Sequence, residues 1–174
     1  MKKEIRSVLK IRAVAMAKEA EQKRESSATM EIIEFALASE IYGIESAYVR
    51  EVYPLKDFTP LPGVPSFILG IINVRGQILP VVDLKKFFNL PEKGLGELNK
   101  VIILRNENME FGILADIING TRVIFEDEIL PVPPTVTGIG EKHLRGITKD
   151  QLIILSAENL LADKNIVVYD EATM

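Results

Sequence analysis

The chain has 174 residues, 47% of them hydrophobic and 26% charged, with no cysteine and a single histidine, His143. That balance suits one globular domain, or two small ones packed as a unit, and leaves enough apolar surface for a core. It excludes disulfides, thiolate catalysis, Cys-ligated zinc or iron–sulfur sites and multi-histidine metal centres. A net charge of −4 has the wrong sign for a generic nucleic-acid binder. Uninterrupted apolar runs reach only about five residues, against roughly 20 for a membrane span. Met1-Lys2-Lys3-Glu4 opens no apolar signal segment, so a cytoplasmic location is expected.

Residues 1–25 carry eight Lys/Arg against four Glu, net +4. Removing them from the chain's 21 basic and 25 acidic groups leaves 13 against 21, net −8, so a basic leader precedes an acidic body. Residues 4–23 lack Gly and Pro, are rich in Ala, and place Ile5, Val8, Leu9, Ala15 and Met16 near one helical face. Ile11 and Val14 fall off that stripe, so the helix reads as solvated, with docking on the body or on a partner as the alternative. No Trp or Phe anchors it to a membrane surface. Glu25–Thr29 follows as a polar linker, giving a leader of residues 1–30.

From Glu31 the period shortens. Strands are predicted over 31–37 and 41–44, then one helical turn over 45–49 and a Pro-rich loop or sheet edge over 54–65. Two strands, 67–74 and 77–82, flank a tight turn at Arg75-Gly76, and a short helix covers 84–88. After a loop at 89–99, strands are predicted over 101–105, 110–115 and 121–125. A loop at 131–140 precedes strands near 143–148 and 152–155. Many short strands at regular spacing argue for a sandwich or barrel.

The body repeats itself. Tyr42-Gly43-Ile44 lies over Phe111-Gly112-Ile113 at an offset of 69, and Val74-Arg75-Gly76 over Leu144-Arg145-Gly146 at 70. The segment 80–88 lies over 153–161 at 73. Each copy is the size of a small barrel, whose own core is slight, so two copies should bury apolar surface between them and leave a groove along the seam.

Catalytic chemistry finds little support. His143 has no nucleophile or carboxylate placed beside it by a recognisable motif. Asp83 and Ser156 precede the two short helices and read as N-caps. Glu126-Asp127-Glu128 lacks the spacing and glycine of a calcium loop and reads as a solvated turn. Phosphate-cradling glycine motifs are missing, so no cofactor, metal or catalytic residue is assigned. Arg75-Gly76 admits two readings. It is only turn chemistry, since Arg-Gly recurs at 145–146, or it presents an exposed cation on rigid strands for a carboxylate.

The block Ile72-Asn73-Val74-Arg75-Gly76-Gln77-Ile78-Leu79-Pro80-Val81-Val82-Asp83-Leu84 closely resembles the signature of CheW-like domains, the coupling proteins of bacterial chemosensory arrays. The resemblance runs over about residues 31–165 and takes in Tyr42-Gly43-Ile44, Val49-Arg50-Glu51-Val52, Pro60-Leu61-Pro62, Phe67-Ile68-Leu69-Gly70 and the stretch from Leu144-Arg145-Gly146 to Leu161. It implies an all-β fold: two SH3-like five-stranded β-barrels packed together with short helices, after an N-terminal helix. The barrels would span roughly 31–99 and 100–165, with exchange of terminal strands left open, before a tail at 166–174.

The resemblance further implies a scaffold without enzyme activity. It would join chemoreceptor cytoplasmic tips to the regulatory domain of the histidine kinase CheA, at receptor arrays on the inner face of the membrane. Receptor contact would fall to Arg75, Gly76, Asn73, Gly70, Glu51 and Val49, and kinase contact to Ile44, Ser46 and Val49. Ser46 is polar where that surface usually carries an apolar residue. The alternative reading is a small-molecule-binding barrel that senses a ligand between the two halves.

Overall fold

A computed structural model of the chain describes residues 1–92, 94–134 and 139–166. The loop expected at 131–140 lies partly outside the described residues, and the tail beyond 166 lies wholly outside them. The leader forms helix α1 (Lys2–Ser26), in which every side chain from Met1 to Glu21 and Gln22 faces solvent. The body follows as β1 (Thr29–Leu37), β2 (Glu40–Glu45), a 3-10 turn (Ser46–Tyr48), β3 (Val49–Pro54), β4 (Ile68–Val74), β5 (Gln77–Val82) and α2 (Leu84–Phe87). The second copy supplies β6 (Lys100–Arg105), β7 (Glu110–Ala115), β8 (Ile117–Phe125), α3 (Ile139–His143), β9 (Leu144–Ile147), β10 (Ile153–Leu155) and α4 (Ala157–Ala162).

Two five-stranded sheets result, in the orders β8-β1-β2-β10-β9 and β3-β6-β7-β5-β4. Each sheet takes two strands from one copy of the repeat and three from the other. A cut at 99/100 therefore divides both sheets and is not a boundary between them. Nor are the sheets closed barrels. Each curls until the chain beyond its first edge strand meets its last strand through one isolated bridge, Leu130 with Ile147 and Thr59 with Ile71. One bridge is not a continuous ladder, so a single contact takes the place of full closure.

The repeat is physical, but one of its three anchors moves. The parallel ladders set Val81 and Val82 against Gly112 and Ile113, and Ile154 and Leu155 against Gly43 and Ile44. These pairings reproduce the offsets of 69 and 73. The bridges, however, set Ile71 opposite Thr59 where Ile147 stands opposite Leu130, an offset of 76. Gly146 is therefore the counterpart of Gly70, not of Gly76. Arg145-Gly146 lies inside strand β9, whereas Arg75-Gly76 forms the β4–β5 turn. The expected pair of equivalent Arg-Gly turns does not exist.

Packing explains the spacing of the apolar residues. Each sheet has a small interior of its own: Met30, Ile32, Ile124, Leu152 and Ile154 in one, and Ile72, Val74, Leu79, Val81, Val101, Ile103 and Leu114 in the other. The largest buried set lies between the sheets and includes Phe35, Tyr42, Ile44, Ile102, Leu104, Phe111, Ile113 and Leu160. At roughly 1.5–3 kcal/mol per buried aliphatic or aromatic side chain, this shared layer makes neither sheet self-sufficient. The seam is filled by side chains.

The two N-caps act as expected, with Asp83 accepting from the Lys85 amide (3.0 Å) and Ser156 from the Asn159 amide (3.2 Å). Strand β8 starts four residues earlier than predicted. Asn119-Gly120 looks like a turn in sequence, but the strand passes through it with a register shift opposite Glu34/Phe35 and Gly120 at φ 132°.

Candidate docking site

The β4–β5 hairpin carries the residues of the signature block that reach solvent. Its two central residues, Arg75 (φ 54°) and Gly76 (φ 87°), are both left-handed, the geometry that suits a two-residue connection between twisted strands. Asn73 Oδ1 accepts the Gly76 amide at 2.8 Å and fixes the turn. Glycine enters this conformation without strain, whereas a long side chain costs about 1–2 kcal/mol there. Arg75 holds it nonetheless, with 78% of its side chain exposed.

Among the described residues the guanidinium pairs with Glu51, whose Oε2 lies 3.2 Å from Arg75 Nη2. Glu51 sits in β3 beside a bulge, where the pairing with β6 shifts between Val49 and Glu51 and leaves Arg50 unpaired. Neighbouring residues in a regular strand point to opposite faces. The bulge lets Arg50 and Glu51 turn toward the same hairpin. Arg50 Nη1 donates to Gln77 Oε1 (2.7 Å) and pairs with Glu110, while Gln77 Nε2 donates to Glu110 Oε2 (2.9 Å). Burial pushes the Glu110 carboxyl upward, but hydrogen bonds from Arg50 and Gln77 and the charges of Arg50 and Arg105 outweigh it. The group lies below its ordinary value.

The expected contact residues separate into two sets. Arg75, Gly76, Asn73 and Glu51 come together around the hairpin tip, whereas Val49 pairs with Leu104 on the far side of the bulge and packs against the shared core. Gly70 does not join them either. It is buried, with φ 153°, and a Cβ there would stand 2.4 Å from the Thr59 carbonyl oxygen. Its missing side chain is what lets the Thr59–Ile71 bridge form. Ile44 is fully buried in the shared core, opposite Leu155, and presents no surface. Ser46 and Val49 are half-buried at the two ends of the 3-10 turn.

Sequence reasoning missed Arg50, Gln77 and Glu110 as members of this site. Arg50 and Gln77 adjoin Glu51 and Gly76 in the chain, but nothing local ties Glu110 to either. His143 is a structural residue. It is 2% exposed, its Nε2 lies 2.5 Å from Asp163 Oδ2, and its ring meets Phe87 edge-on at 5.2 Å. Phe67 also meets Phe87 edge-on, at 5.0 Å, and the carbonyls of Phe67 and His143 accept the Asp83 and Ser156 amides in turn. His143 is thus the repeat's counterpart of Phe67. Among the described residues no cluster of His, Asp or Glu is arranged to hold a metal, and no helix is long and apolar enough to cross a membrane.

The tip thus sets an exposed cation on a left-handed turn fixed by Asn73, beside a charged strand. A model of the CheW-like domain matches residues 31–165, and the chain belongs to that family. A chemotaxis protein CheW from Treponema pallidum is 30% identical over 143 residues, covering 78% of this chain and 84% of that protein. Protein FrzA of Myxococcus xanthus is 36% identical over 107 residues, 62% of this chain and 66% of that protein. The crystal structure of the scaffolding protein TtCheW from Thermoanaerobacter tengcongensis matches with a TM-score of 0.67 at 36% identity, covering 74% of this chain and 85% of that one.

Proposed function

We propose that the chain is a non-enzymatic chemosensory adaptor that couples the cytoplasmic helical tips of chemoreceptors to a histidine kinase of the CheA type. It would work at receptor arrays on the inner face of the membrane. The observation that carries this reading is the exposed, strained Arg75 at the hairpin tip of a chain that belongs to the CheW-like family. A receptor tip is a helical hairpin, and an acidic group on it would replace or share Glu51 as the partner of Arg75. A desolvated Arg–carboxylate contact of that kind is worth about 2–5 kcal/mol, against under about 1 at a rim.

Asn73 and Gly76 would serve by fixing the turn, with Glu51 and Val49 on the flanking strand. Ser46 and Val49 remain the residues through which the kinase would pack, because Ile44 has no exposed surface. The ligand-sensor alternative is not favoured, because apolar side chains fill the seam where its ligand would sit.

Co-sedimentation tests the reading. Receptor-bearing membranes should carry the kinase down in the presence of this protein and much less in its absence, and kinase activity should come under receptor control only in the three-component mixture. Kinase recruitment and control that are unchanged by the protein would overturn it.

A further inference from the structure

Beyond the Thr59–Ile71 bridge, the tip of the β4–β5 hairpin has few backbone ties to its sheet. The parallel ladder between β5 and β7 consists of Val81–Gly112 and Val82–Ile113 alone, at the far end of β5 from the turn. Among the described residues Gln77, Ile78 and Leu79 have β4 as their only ladder neighbour, so the tip is a two-stranded ribbon beyond the last β7 rung. Such a ribbon twists and bends readily unless something else holds it.

What holds it is made of side chains: Val74 and Leu79 are buried in the sheet's small interior, and a polar brace sits closer to the tip. Arg50 from the β3 bulge, Gln77 from the first position of β5 and Glu110 from the first position of β7 form a closed triangle, with each member bonded to the other two. Arg50 and Glu110 are mostly covered, at 24% and 16% side-chain exposure. The next residue after Arg50 is Glu51, the partner of Arg75. One bulge therefore supplies both the brace for the hairpin and the carboxylate that aims its cation.

We propose that Arg50, Gln77 and Glu110 are positioning residues that lock the β4–β5 hairpin and so pre-orient Arg75 for its helical partner. The proposal rests on the docking role assigned above to Arg75. A pre-oriented contact loses less freedom on binding, so removing the brace lowers affinity without touching the partner.

The test is a mutant cycle with full-length protein, titrated with the soluble helical tip of a chemoreceptor. Arg50→Ala and Glu110→Ala should each weaken binding about tenfold, with unfolding midpoints close to wild type. In an Arg75→Ala background the same changes should alter affinity less than about twofold, because they act only through Arg75. The exchanged pair Arg50→Glu with Glu110→Arg should recover most of the loss. If Arg50→Ala lowers the midpoint, Gln77→Ala decides the matter, since it opens the triangle from an exposed residue.

Wild-type affinity in the brace variants with Arg75→Ala still defective would overturn this proposal alone. Wild-type affinity in Arg75→Ala would overturn the docking role itself. Losses that add fully in the double variants would show that the brace contacts the partner directly, and would also overturn positioning.

Discussion

The two sheets share a plan and differ at their surfaces. In both, a glycine in the penultimate strand makes room for a crossing carbonyl: a Cβ on Gly70 would lie 2.4 Å from the Thr59 oxygen, and one on Gly146 would lie 2.2 Å from the Leu130 oxygen. In both, an aromatic-Gly-Ile strand pairs in parallel with the strand that ends a copy, β2 with β10 and β7 with β5, and a polar residue then caps a short helix. The connections between the last two strands differ. β4 and β5 meet in a two-residue turn topped by Arg75. β9 and β10 are joined by residues 148–152, where Thr148 bonds Asp150 and Asp150 bonds Arg122. The shared features all serve packing, and the candidate docking element sits where the two copies part.

If the closure glycines are equivalent, Gly70→Ala and Gly146→Ala should each destabilise by about 3 kcal/mol or more, since each forces Cβ onto backbone. Thermal midpoints should fall by about 10 °C in both. A large loss in one and none in the other would break the equivalence.

A second comparison sets Tyr42 against its counterpart Phe111. Burial, reinforced by Glu40, pushes the Tyr42 phenol up to about 12. The folded state thus favours the protonated ring, and stability present below about pH 10 is lost as pH rises toward 12. Two pKa units correspond to about 3 kcal/mol. Tyr42→Phe should flatten the fall in unfolding free energy between pH 10 and 12 by about that amount. An unchanged pH profile would show that the ring ionises freely.

The caps offer a smaller test. Ser156→Ala should cost about 1 kcal/mol by removing the acceptor for the Asn159 amide. The smallest effect is expected at Arg145, whose two carboxylate partners, Glu45 and Glu126, both lie at 3.4 Å on the surface. Arg145→Ala should change stability by under about 1 kcal/mol in denaturant titration.

What the sequence disclosed follows the range of the forces involved. Most strand positions, the caps at Asp83 and Ser156 and the repeat in 80–88 and 153–161 are written in local periodicity, and the structure keeps them, but strand β3 over Val49–Pro54 is not predicted and β8 starts early. The Arg-Gly dipeptides misled because identical letters serve different geometry: Gly76 needs a left-handed turn, whereas Gly146 needs space beneath Leu130. Whether Ile44 or Gly70 was surface or interior could not be read locally, because a strand from the other copy covers Ile44 and the Thr59–Pro60 segment, about ten residues away in the chain, covers Gly70. Arg50, Gln77 and Glu110 are brought together by a bulge and a parallel pairing, neither of which has a signature in the chain.

If the left-handed cation at the β4–β5 turn exists for a partner and not for the fold, Arg75→Asn should separate the two, because Asn accepts the left-handed conformation more readily than Arg. The variant should be as stable as wild type, or more so by up to about 1 kcal/mol, while its affinity for a chemoreceptor tip falls at least about tenfold. Arg145→Ala, which removes a cation from the other sheet, should bind as wild type does. Retained affinity in Arg75→Asn, or a loss of affinity matched by a loss of stability, would contradict the account.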